Sequence, residues 1–65
     1  MTSYEKRSLI QEVIEATTNP YQFLIDEGVE EYLIEQRAGE GWTIEEQLQH
    51  HLETLTKSQL LEHLP

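Results

Sequence analysis

The chain contains no cysteine, only four Lys and Arg, two prolines, and no apolar run longer than Phe23-Leu24-Ile25 or Tyr32-Leu33-Ile34. Without cysteine there is no disulfide framework, no cysteine-based zinc site and no thiol nucleophile. Four cations against thirteen Asp and Glu leave a formal charge of −9, which repels phosphate and argues against direct binding to nucleic acid. Apolar runs of three residues fall far short of the roughly 20 that span a bilayer. Lys6 and Arg7 are not followed by the apolar stretch of a signal peptide. The expected compartment is therefore the cytoplasm, with no membrane contact.

What is present suffices for one small folded unit. Sixty-five residues make a single domain, 1–65, which buries only about 60% of the surface its unfolded chain exposes. Leu, Ile, Val and Phe make up about 26% of the residues, above the level of about 20% below which charged chains stay disordered. The apolar residues are also periodic. No segment alternates with period two and no Asn-Gly or Asp-Gly hairpin signal occurs, so strands are not expected.

Leu9, Ile10, Val13, Ile14 and Thr17 recur at helical spacing, predicting an amphipathic helix over 3–17 with Thr2 and Glu5 as a capping box. Asn19-Pro20 stops that helix and starts the next, Asn19 as N-cap and Pro20 in the first turn. From there two readings compete. A continuous helix through Gly28 would align Tyr21, Ile25, Val29, Tyr32, Leu33 and Gln36 in one stripe. A break at Gly28, with the glycine in the left-handed conformation, would open a new helix at Val29. The hydrophobic residue directly after the glycine favours the break. Gly39 and Gly41 end the pattern again. Thr43 with Glu46 and Thr56 with Gln59 are two further capping boxes. The first precedes the stripe Ile44, Leu48, Leu52, Leu55, and the second a short helix with Leu60, Leu61 and Leu64. The expected fold is all-α, a small bundle of four or five short helices.

The negative charge is concentrated. Residues 26–46 hold Asp26, Glu27, Glu30, Glu31, Glu35, Glu40, Glu45 and Glu46 against Arg37 alone, a net −7. Glu30, Glu31, Glu45 and Glu46 fall in first turns, where the helix dipole favours acids, so part of the run is local capping. The rest is a field suited to a basic partner: a protein patch, or a nucleic-acid-binding groove occupied in place of DNA.

Catalytic chemistry is hard to assemble from these residues. Ser3, Ser8 and Ser58 have no histidine near them in sequence. Gly39-Glu40-Gly41 lacks a third glycine and carries an acid that would repel phosphate. Glu46 and Glu53 flank His50 on one helix, but H-E-x-x-H is absent, His51 points about 100° away and His63 lies on another helix. No enzyme activity, metal or cofactor is expected.

On a continuous wheel Phe23 and Ile34 fall outside the core stripe, within about 20° of one another across Glu27 and Glu30. They form either an apolar spot rimmed by acids or, after a break at Gly28, part of the core. Trp42 is either a lid over the last helices or an interface anchor. The sequence thus predicts a small acidic protein that binds and regulates or inhibits a larger protein bearing a basic patch. The partner-binding candidates are Phe23, Glu27, Glu30, Glu31, Ile34, Glu35 and Trp42. An acidic decoy for a DNA-binding groove is the alternative. A second copy of the chain, seated on an apolar centre with the acids at its rim, is also a candidate partner.

Overall fold

The computed structural model describes residues 5–64, and among them every regular element is helical. Five helices follow one another: α1 (Lys6–Ala16), α2 (Pro20–Asp26), α3 (Glu31–Gly39), α4 (Ile44–Glu53) and α5 (Lys57–Glu62). The all-α expectation holds, and the connections are as short as the cap spacing implies.

Most boundaries follow from local chemistry. The Asn19 side chain accepts the Gln22 amide at 3.2 Å, with Pro20 in the first helical position. At α4, Thr43 Oγ1 accepts the Glu46 amide at 3.1 Å while Glu46 Oε1 accepts the Thr43 amide at 2.8 Å. Thr56 and Gln59 repeat this reciprocal arrangement at α5. Each satisfies donors that a helix N-terminus leaves without intrahelical partners. The start of α1 differs from the sequence reading. Thr2 lies outside the described residues, and Glu5 is itself the N-cap, extended and without a side-chain cap bond, so it does not stand at the third helical position of a box. At the other end of α1, Thr17 Oγ1 donates back to the Val13 carbonyl at 2.7 Å.

The break at Gly28 is real and has a mate at Gly41. Gly28 has φ +93° and Gly41 φ +103°, a region that costs side-chain-bearing residues strain and glycine nothing. After α2, the Val29 amide reaches the Leu24 carbonyl and the Gly28 amide the Ile25 carbonyl, both at 3.0 Å. After α3, the Trp42 amide reaches the Arg37 carbonyl at 3.0 Å and the Gly41 amide the Ala38 carbonyl at 3.1 Å. Both are Schellman endings, two crossed bonds that satisfy the last carbonyls and turn the chain sharply. The helix after Gly28 opens at Glu31 with Glu30 as N-cap, two residues later than Val29.

The core is one cluster drawn from all five helices: Leu9, Ile10, Val13, Leu24, Ile34, Leu48, Leu52 and Leu60. Ile14, Tyr21, Phe23, Ile25, Val29, Ile44, Leu55 and Leu64 pack around it, half-buried. The α1 and α4 stripes fall where their periodicity puts them. Leu24, absent from the continuous stripe, is fully buried, and Leu61 is exposed although Leu60 beside it is not. Packing runs α1 against α4 and α5, with α2 and α3 each against α4. Helix α4 is the central post. Its Gln47 is the one buried polar residue among those described, its amide donating to the Ile34 carbonyl of α3 at 3.1 Å.

Candidate functional site

Gly28 decides which residues reach the surface. By turning the chain it re-phases α3, so Ile34 points inward and is 3% exposed while Tyr32 points outward at 65%. This overturns Ile34 as a partner-binding residue and Tyr32 as a core one. Phe23 is half-buried, packed against the core, with its ring 4.9 Å from that of His63. No joint Phe23/Ile34 patch exists, and a second copy cannot be seated on one.

The acids divide into two groups. Glu27, the C-cap of α2, is drawn inward. Its Oε1 accepts from His51 Nε2 at 3.2 Å, and His63 Nε2 stands 3.4 Å from the same oxygen. One carboxylate oxygen thus ties the end of α2 to α4 and to the C-cap of α5. Glu27 belongs to the scaffold rather than to an open face. Sequence spacing could not reveal this trio, because its members lie on three separate segments. Among the described residues no group of three His, Asp or Glu is arranged to hold a metal ion.

Glu30, Glu31 and Glu35 remain exposed at and along α3. Glu30 and Glu31 sit at the helix start, where the dipole favours them. Glu35 lies beyond the first turn and has no such reason. Among the described residues the acid–base pairs at ion-pair distance are those of Glu27 with the two histidines, so no cation offsets the α3 carboxylates. Glu31 is instead held by the Tyr21 hydroxyl of α2, which donates to its Oε2 at 2.6 Å. That hydrogen bond, aided by partial burial and by the negative charges of Glu31 and Glu35, pushes the Tyr21 phenol up from 10.0 to about 12.

A raised phenol stabilises the fold while it keeps its proton. Tyr21 therefore contributes stability fully present below about pH 10 and lost as pH rises through 12. Comparing chemical unfolding of the parent with that of Tyr21→Phe from pH 9 to 12 tests this. The parent should lose stability over that window by more than the variant, and absorbance near 295 nm should show its last tyrosine titrating above pH 11. Parallel loss in the two proteins would contradict the assignment.

Trp42 meets α4 through His50 but is not among the residues packed against the core. It is half-buried between α3 and α4, with the Arg37 guanidinium carbon 5.1 Å above its ring and the His50 ring edge-on at 5.4 Å. The stacking fixes Arg37, the one cation of the acidic stretch. A groove of about 350 Å³ lies between α3 and α4, its lining including Val29, Tyr32, Leu33, Arg37, His50 and His51. The sequence reading places Tyr32 in the core stripe and Arg37 only as the lone cation of the acidic run, and neither at a site.

No described helix is long and apolar enough to cross a membrane. Compared with known protein families, characterised proteins and solved structures, the chain matches none. Its own residues carry the functional reading.

Proposed function

We propose that this is a small acidic binding protein that docks onto a larger protein through a basic patch and regulates or inhibits it, with no catalytic step and no cofactor. The observation that carries the reading is the uncompensated charge of α3: Glu30, Glu31 and Glu35 exposed together, with no cation at ion-pair distance among the described residues. Carboxylates left unpaired on a rigid helix raise the rate and specificity of encounter with a positive surface. Tyr21 adds to this by holding Glu31 in one orientation, which lowers the entropy lost when a partner orders that side chain. A DNA-binding groove is the other positive surface that such a field fits.

Capture from an extract of the producing cell tests the reading, using immobilised parent protein beside a Glu31→Lys/Glu35→Lys variant. Both positions are exposed, so the variant should keep its helical circular dichroism. A protein held by the parent at physiological salt should be lost with the variant. If the partner is a DNA-binding protein, duplex DNA should compete it off and its retention should fall steeply between about 50 and 200 mM salt. Equal capture by parent and variant would overturn the reading.

A further inference from the structure

The four cations of the chain are not equivalent. Arg7 and Lys57 are exposed, and Lys6 donates to the Glu53 carbonyl. Arg37 is half-buried on α3, its guanidinium carbon 5.1 Å from the centre of the Trp42 ring. Partial burial strips water from a guanidinium, a cost that an anionic acceptor offsets. Among the described residues no carboxylate stands at ion-pair distance from Arg37, since both pairs present belong to Glu27. Stacking on an aromatic ring uses the flat face of the group and leaves the N–H donors in its plane for another acceptor. A planar fork held in this way matches a carboxylate.

The groove between α3 and α4 supplies the rest of a site. Arg37 and His50 both line it and both lie against Trp42, so one indole ring positions two nitrogen-bearing side chains at the same groove. Leu33, one turn before Arg37 on the same face of α3, gives the groove apolar lining together with Val29, and both are half-buried. At about 350 Å³ the space lies at the low end of small-ligand sites. Glu30 also lines it, seven residues and roughly 10 Å along α3 from Arg37. A second negative group on a ligand would meet repulsion there.

We infer that this groove binds a small apolar monocarboxylate, its carboxylate paired with the Arg37 guanidinium and its hydrocarbon part against Leu33 and Val29. The His50 ring adds a hydrogen bond to the same carboxylate. The charge of −9 opposes any anion at long range. A ligand of about eight heavy atoms therefore dissociates on the order of 1 mM. Glu31 and Glu35 lie about 160–200° around α3 from Leu33, so the inference goes beyond the proposed function without depending on it.

Titration of the full chain with hexanoate to about 20 mM, followed by NMR at constant pH and ionic strength, tests the proposal. The expected result is saturable shifts of the Leu33, Arg37 and His50 amides and of Arg37 Nε–H, half-complete on the order of 1 mM. Hexanamide lacks the charge, acetate lacks the apolar chain and adipate carries a second carboxylate. Each should bind the parent protein about fivefold more weakly or worse. Arg37→Gln should lose binding by a similar factor, and Arg37→Lys should not restore it, because an ammonium has no fork. Glu31→Lys/Glu35→Lys should bind hexanoate no more weakly than the parent, which separates this site from the acidic face. Hexanoate shifts that match those of sodium chloride would overturn the proposal. So would hexanamide, acetate or adipate binding as tightly as hexanoate, or a folded Arg37→Gln with undiminished affinity.

Discussion

Leu52→Ala should unfold this protein or come close to it. Leu52 lies in the last turn of α4, fully enclosed, on the helix against which α1, α2 and α3 all pack. Truncating such a leucine costs about 2–5 kcal/mol, the lost transfer energy plus a cavity that its neighbours close only in part. A chain of this length has a total stability of about 3–10 kcal/mol at the usual value per residue. The substitution thus removes a large share of it, with a fall in melting temperature of roughly 10–30 °C followed by circular dichroism. Leu61→Ala is the internal control: 52% exposed on α5, it should move the midpoint by no more than about two degrees. If the two variants melt alike, α4 is not the post of the fold.

Gln47→Glu should be as damaging at neutral pH, for a different reason. Gln47 is 1% exposed, its amide nitrogen serves the Ile34 carbonyl, and its Oε1 has no partner. A carboxylate there would bury a charge with one oxygen beside that carbonyl, a loss of about 3–5 kcal/mol. Burial favours the protonated acid and raises its folded-state pKa. The variant should therefore recover below about pH 4, near the ordinary carboxyl value, and lose stability as pH rises from there. Gln47→Met should go the other way. Methionine has a similar shape, the orphaned oxygen disappears, and the Ile34 carbonyl sits inside α3 where a helical amide serves it. A gain of about 1 kcal/mol follows, read as a higher urea midpoint. Equal stability of Gln47→Glu and parent at pH 7 would mean that water reaches this side chain.

These two residues mark where sequence reading succeeds and where it stops. Leu52 repeats at four-residue steps with Leu48 and sits behind a Thr–Glu capping box, so both its helix and its face are fixed within a dozen residues. Asn19, Thr43, Thr56 and Gly28 were legible for the same reason, since each acts on an amide or carbonyl no more than a few residues away. Gln47 falls only about 60° from Ile44 on the α4 wheel, so geometry admits it to the interior, but its polarity argues otherwise until the Ile34 carbonyl is in place. Ile34 and Tyr32 exchanged roles because a wheel carried through Gly28 loses phase at a left-handed residue. For the site, Glu30, Glu31 and Glu35 were legible as charge. The removal of Glu27 by His51 and His63, and the stacking of Arg37 on Trp42 beside a groove, depend on tertiary packing, which has no signature in spacing.

The two glycine stops also bear on how the chain finds its shape. Each closes a turn with bonds spanning six residues or fewer, and the Asn19, Thr43 and Thr56 caps act over three. The bends between helices are therefore written locally, and the entropy of closing loops that short is small. Distant stretches must still meet where α1 packs on α4 and α5, a junction at which Lys6 Nζ donates to the Glu53 carbonyl at 2.7 Å across 47 residues. Residues 17–64 can settle their turns in any order, whereas docking α1 means closing most of the chain into a ring. The docking of α1 on α4 and α5 is thus the step that closes the longest loop of this fold.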